Sequence, residues 1–300
     1  MSSKKSMEIN NSLYKFHDWI DKDQIDYGFL SKNPNPNVIP LLENNIDKIC
    51  WYYLSENPNA IPILENNIEK IYWDYLSENP NAIPIIKKNM DKVNWECLCL
   101  NPNAIEILEQ NIDKIDWELL SSNPNAIHLL KKNLDKVDWD YLSKNPNSIS
   151  ILEKNLDNIK WYWLSLNPNA ISIIENNLNE IDWNSLSSNP NAISILEKNM
   201  DKINWVYLSL NPNAIEILKK NMDKVDWDYL SSNPNAIEIL KQNIDKINWH
   251  YLSKNPNIFE LDYEFLKKRM DIIREELMMK AWHPSRIEKW FDLGMELEDF

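Results

Sequence analysis

The stretch Leu54-Ser55-Glu56-Asn57-Pro58-Asn59-Ala60-Ile61-Pro62-Ile63-Leu64-Glu65-Asn66-Asn67-Ile68-Glu69-Lys70-Ile71-Tyr72-Trp73 decides the fold. Its pattern returns every 22 residues. Proline stands at 36, 58, 80, 102, 124, 146, 168, 190, 212, 234 and 256. Tryptophan keeps the same step from Trp51 to Trp249, and Tyr27 takes the place before Trp51. A fixed period of this length marks a solenoid, in which each unit is too small to fold alone and is stabilised by its neighbours.

Each unit reads as two short helices. Asn57 suits an N-cap, and Pro58 suits the first helical position, where the missing N–H has no partner to lose. At about 100° per residue, Ala60, Ile61, Ile63 and Leu64 fall on one arc, with Pro62, Glu65 and Asn66 opposite. Pro62 is early enough to be tolerated. With only Gly28 and Gly294 in the chain, Asn67 and its equivalents are expected to end this helix as left-handed C-caps. The second helix starts at the tryptophan. The residue before it is often Asp or Asn, as at Asn94, Asp116, Asp138, Asp182, Asn204, Asp226 and Asn248, which fits an N-cap. Trp73 and Leu76 share a face, so the tryptophans are expected to pack between repeats. Ser55 and Ser77 are read as hydrogen-bonding groups at the helix end. Six or seven residues is short, so this helix is expected to be partly 3-10.

Working outward, residues 1–10 are expected to be disordered. Asn11 to Ile20 places Leu13, Phe16, Trp19 and Ile20 at helical spacing, which predicts a capping helix. The first repeat begins at Ile25. It holds two extra residues, read as Asn33-Pro34 ahead of an in-register Asn35-Pro36-Asn37. After Asn257 the period breaks. Asp262 is predicted to cap a longer helix with Leu266, Met270, Ile273 and Leu277 on one side. Pro284 separates it from a helix carrying Ile287, Trp290 and Phe291, ended by Gly294. The divisions are thus 1–24, a tail and capping helix; 25–257, the repeats; and 258–300, a helical cap. The fold class is all-α: an α-solenoid of about eleven two-helix repeats between N- and C-terminal helical caps. At about 10 Å per layer the array is expected to be roughly 100 Å long.

The net charge is -14 and the hydrophobic content 43%. That suffices for a core, and it disfavours nucleic acid and anionic membrane as partners. No stretch approaches a membrane span or the apolar run of a signal peptide. Cys50, Cys97 and Cys99 each replace an ordinary repeat residue, so they are read as reduced thiols of an intracellular, cytoplasmic protein.

No catalytic, cofactor-binding or metal-binding residue is assigned. His17, His128, His250 and His283 recur at no repeat position and lack metal-ligand spacing. Two glycines leave no room for a phosphate loop. The Asn-Pro row raises an anion site, but no basic residue recurs beside it, and capping explains it.

The pattern resembles, in outline, the leucine-rich variant repeat, a solenoid of α and 3-10 helices. It is more closely similar to the Asn-Pro-Asn-Ala-Ile repeat proteins of giant, mimivirus-like viruses. Residues Leu54-Ser55, Asn57-Pro58-Asn59-Ala60-Ile61, Asp47-Lys48-Ile49 and Trp51 carry that likeness. So do His17-Asp18-Trp19-Ile20-Asp21, Asp262-Tyr263-Glu264, Arg274-Glu275-Glu276-Leu277 and His283-Pro284. The resemblance implies a viral origin and a repeat-protein role, with no activity carried to named residues.

The positions that vary between units are where a partner is expected. Three equivalents of Glu56 are leucine: Leu100, Leu166 and Leu210. Beside two of them the exposed side of the short helix is apolar, at Tyr162, Trp163 and Val206. The Asp-Lys signature also fails nearby, at Asn158 and Asn179-Glu180. In the tail, Lys268, Arg269 and Arg274 form a basic side suited to a protein contact. The expected function is a non-catalytic scaffold or adaptor for a protein partner in the host cytoplasm. The alternatives are a structural component of the virus particle, and an enzyme with a site in the tail, near Trp282, His283 and Arg286.

Overall fold

The computed structural model describes residues 13–294. Each repeat holds two short helices and two turns. In the unit from Trp51, the helix Trp51–Glu56 is followed by the turn Asn57-Pro58-Asn59, the helix Ile61–Glu65 and the 3-10 turn Ile68–Lys70. These are called below the Trp helix, the Asn turn, the Ile helix and the Lys turn. The order repeats as far as the last Trp helix, Trp249–Ser253. The 3-10 geometry thus lies in the Lys turn, and the Trp helix is α.

The predicted caps of the Trp helices are present. Asp138 Oδ1 accepts from Tyr141 N at 2.9 Å, and Asp116, Asp182, Asp226 and Asn248 do the same in their units. The Ile helix differs from expectation at both ends. It starts at Ile61, three residues after Pro58, because Asn57 is spent on a turn of its own. Asn57 Oδ1 accepts from Asn59 N, its carbonyl accepts from Ala60 N, and Pro58 fixes φ between them. At the other end Asn67 has φ -140 and is not left-handed. Its side-chain amide donates to Ile63 O at 2.8 Å, which satisfies an orphan carbonyl without positive φ. Among the described residues only Gly294 has positive φ.

Ala60, Ile63, Leu64, Ile71 and Leu76 are buried, and so are their equivalents in most repeats. Each fully buried large aliphatic side chain contributes about 1.5–3 kcal/mol. The tryptophans sit at the edge of this core, half-buried.

Polar rows run through the stack. Asn79 Nδ2 donates to Ser55 O and to Asn57 O, both at 3.0 Å in the preceding repeat. Asn81 Nδ2 donates to Pro58 O at 2.8 Å. Ser55 Oγ donates to Trp51 O and accepts from Tyr72 N of the next repeat. The contacts recur from repeat to repeat, and then they close. Asn33 Nδ2, in the first repeat, donates to Ser253 O and Asn255 O of the last, both at 2.9 Å. Asn35 Nδ2 reaches Pro256 O, and Asp26 N donates to Ser253 Oγ at 3.0 Å. The first and last Trp helices also touch.

The repeats therefore form a closed ring. The expected extended array is replaced, because the rotation per repeat, summed over eleven units, returns the chain to its start. Closure also corrects the first repeat. Its in-register turn is Asn33-Pro34-Asn35, and the inserted pair is Pro36-Asn37, which opens the 3-10 turn Pro36–Val38.

Over residues 13–20, the described part of the predicted capping helix Asn11–Ile20, no helix forms. Tyr14–Phe16 is a strand, β1, paired antiparallel with β2, Phe259–Leu261; Phe16 faces Phe259 with ring centroids 4.7 Å apart. Aromatic residues at alternate positions suit a strand with a partner, and that partner lies 243 residues away, as in the contact of His17 with Glu260. The chain divides into two compact units, Asp18–Ile258 and the two terminal segments together, Met1–His17 with Phe259–Phe300. A ring has no end faces, so the repeats need no terminal cap. In the terminal unit the helices Tyr263–Ala281 and Pro284–Asp292 are present, and Asp262 caps the first. Met270, Ile273 and Leu277 lie exposed on it. The segment 1–10 lies outside the described residues.

Candidate binding surface on the inner wall of the ring

In a closed ring the inner layer has the shorter circumference. Trp helices pack on one another around it, as Trp51–Glu56 does on Trp73–Glu78 and Tyr27–Leu30 on Trp249–Ser253, more closely than the Ile helices do. The Trp helices therefore form the inner wall. Eleven helices at 8–10 Å spacing, less one helix width, enclose an opening about 20 Å across.

On each Trp helix, the leucine and serine point into the layer and are buried. The second, third and last residues face the opening. The third position is a tier of aromatic and apolar groups. Phe29 and Tyr53 stack at 5.7 Å, Tyr141 and Trp163 at 6.3 Å, and Tyr229 meets Tyr251 at 5.9 Å. Trp163 Nε1 donates to Asp140 Oδ2 at 3.3 Å. The tier is interrupted at Ser185, and its neighbour Tyr207 is exposed.

The wall is not uniform. Asp74, Glu78, Glu96, Glu118 and Asp140 make one arc acidic. From Trp161–Leu166 to Trp205–Leu210, the inward positions carry no charge. They are Tyr162, Trp163 and Leu166, then Asn184, Ser185 and Ser188, then Val206, Tyr207 and Leu210. Large side chains thus flank a strip of small ones. Tyr162 is 53% exposed and Val206 40%. Leu166 and Leu210 are half-buried, as is Leu100, which stands alone in the acidic arc. The structure brings Tyr162, Trp163, Leu166, Val206 and Leu210 onto one surface and leaves Leu100 apart. Lys268, Arg269 and Arg274 are exposed on the tail helix of the terminal unit, where Arg274 pairs with Asp271 at 3.2 Å.

The edge of the ring that carries the Lys turns has its own row, which the sequence reading missed. Lys70 stands over the Trp51 ring, Nζ 4.7 Å from the centroid. The same pairing runs from Lys48 over Tyr27 to Lys136 over Trp117, and from Lys202 over Trp183 to Lys246 over Trp227. The signal was the constant spacing of 19 residues from tryptophan to lysine in seven repeats, those of Trp51, Trp73, Trp95, Trp117, Trp183, Trp205 and Trp227. These lysines explain why the tryptophans are half-buried: one face packs in the layer, the other holds a cation.

Among the described titratable groups, two thiols are clearly shifted. Burial pushes the Cys97 thiol up to about 12, helped by Glu78, and the Cys99 thiol up to about 11. Both stay protonated and unreactive at neutral pH. Cys99 replaces the repeat serine and donates to Trp95 O at 3.2 Å. His17, His128 and His250 each contact a carboxylate, and His283 contacts Ser285. Among the described residues no group of His, Cys, Asp and Glu could hold a metal ion, and no helix is long and apolar enough to cross a membrane. Trp282, His283 and Arg286 lie exposed. Comparison with protein-family models, with curated proteins and with solved structures finds no match to this chain.

Proposed function

We propose that the protein is a non-catalytic ring scaffold that holds a protein partner against its inner wall. The observation that carries this reading is the uncharged arc from Tyr162 to Leu210. The chain has 26% charged residues, and yet three consecutive Trp helices carry none at their second, third and last positions, the nearest cations being Lys144 over the Trp163 ring and Lys160 beside Asp140. Repeats maintained only for folding would have no reason to depart from the pattern together and on one surface. An opening about 20 Å across admits a helix of 10–12 Å with its side chains, and the acidic arc of the wall disfavours nucleic acid there. The sequence likeness to giant-virus repeat proteins supports a scaffold acting in the cytoplasm of an infected cell.

A photo-crosslinking residue at Tyr162, compared with one at the outward Glu153, tests the inner-wall reading. The proposal expects one discrete partner band from position 162, none from 153, and loss of that band in the Tyr162→Ser/Val206→Ser variant. Equal crosslinking from both positions, or a band indifferent to the double substitution, would overturn it.

A further inference from the structure

The Lys turns supply a cation to most of the Trp rings but not to all. In the pairing register, Trp139 meets Asn158 and Trp161 meets Glu180, where other repeats have lysine. Trp249, at the closure, meets Gln24. Trp139 and Trp161 are neighbours, so two adjacent half-buried rings lack the cation that the same ring face holds at 4.2–5.6 Å in other repeats. At Trp161 the change goes further than loss, since the residue at the lysine's register is the acidic Glu180. A ring face beside an acidic group attracts a cation by quadrupole and by charge together. The rest of the edge shows what fits: the ammonium of a flexible side chain laid flat on the indole.

We infer that Trp139 and Trp161 form a docking site for a basic segment of a partner protein, with one Lys or Arg side chain over each ring and Glu180 as counter-ion. Adjacent repeats stand about 10 Å apart. A polyproline-type segment rises about 3.1 Å per residue with three residues per turn. Cations three positions apart on such a segment therefore match the two rings in both spacing and facing. The acidic net charge of the chain favours approach of a basic segment. This site lies on the ring edge and uses none of the inner-wall residues, so it stands or falls apart from the inner-wall reading.

The test is an NMR titration of the tryptophan indole N–H signals at low salt. The probe is a synthetic peptide with lysine at every third position and proline between. The full chain is compared with Asn158→Lys/Glu180→Lys, which restores the repeat's own lysines and should preserve the fold. A second comparison is Tyr162→Ser/Val206→Ser. The inference expects saturable shifts at Trp139 and Trp161 in the parent and in the inner-wall variant. It expects at least a tenfold weaker response when both lysines are restored. A matching glutamate–proline peptide should leave the signals unmoved. Equal binding to the lysine-restored variant, binding of the acidic peptide, or unmoved Trp139 and Trp161 signals would each overturn it.

Discussion

At the scale of single residues, asparagine carries the architecture. Asn145 is fully buried and makes three hydrogen bonds that only a carboxamide can make together. Its nitrogen donates to Ser121 O and Asn123 O, and its oxygen accepts from Asn147 N. Replacing it with alanine takes their side-chain partner from the Ser121 carbonyl and the Asn147 N–H and leaves Asn123 O with only the Ala126 N–H, at about 1–3 kcal/mol for each buried group left unpaired. Aspartate is nearly the same shape, but it would aim an oxygen at two carbonyls. Asn145→Asp is therefore expected to be at least as destabilising as Asn145→Ala, by about 3 kcal/mol, with urea unfolding as the measurement. A surface helix cap would show the opposite, since Asp and Asn cap about equally well. The Asn-Pro signal was plain in the sequence, but its use was not. An N-cap and a ladder amide look alike until the neighbouring repeat is in place.

At the scale of elements, the two helices of each unit were legible because burial imposes the 3.6-residue period on Ala60, Ile63 and Leu64, and Asp or Asn precedes most tryptophans. Their limits were less so. Helix ends depend on which group takes each orphan N–H or C=O, and here side chains of the turn take several. The strand β1 was unreadable because three residues carry little periodicity and its partner lies at the other end of the chain. The candidate surface was partly legible. Tyr162, Val206, Leu166 and Leu210 stood out as departures from the repeat, but only the ring showed that they share one wall. The lysine row bears a prediction of its own. Exposed cation–π pairs are worth about 0.5–1 kcal/mol. Asn158→Lys is expected to raise stability by about that amount and Lys92→Asn to lower it by as much, both read from urea midpoints. No change in either would mean that the lysines are merely solvated.

At the scale of the whole repeat unit, closure joins the first and last repeats by the contacts used elsewhere, and a histidine–carboxylate pair takes the place that Asn94 and Asp74 or Asn248 and Asp228 hold in other repeats. His250 Nδ1 lies 2.7 Å from Asp26 Oδ2, and Asp26 Oδ1 accepts from Phe29 N. Burial disfavours ionisation of Asp26, but the Phe29 N–H, His250 and the Gly28 N–H outweigh it and hold the carboxyl below its ordinary value. A lowered carboxyl contributes stability that is complete above the unfolded pKa, near 4, and is lost as pH falls through the folded value. The His250 side chain is 67% exposed, so solvent limits the effect to under about 1 kcal/mol. Between pH 6 and 3, the parent is expected to lose more stability than Asp26→Asn. Parallel pH profiles of the two would show that the pair contributes nothing to closure.

The central claim, that the repeats close into a ring, is tested most directly by a spin-label distance across the closure. Labels at Asp23 and Asp245 occupy equivalent Lys-turn positions in the first and last repeats, in a chain whose Cys50, Cys97 and Cys99 are replaced by serine. The ring predicts one narrow distance on the order of 20 Å, adjacent repeats about 10 Å apart plus the label arms. An open solenoid would place the labels on the order of 100 Å apart, and the absence of any short distance would contradict the account.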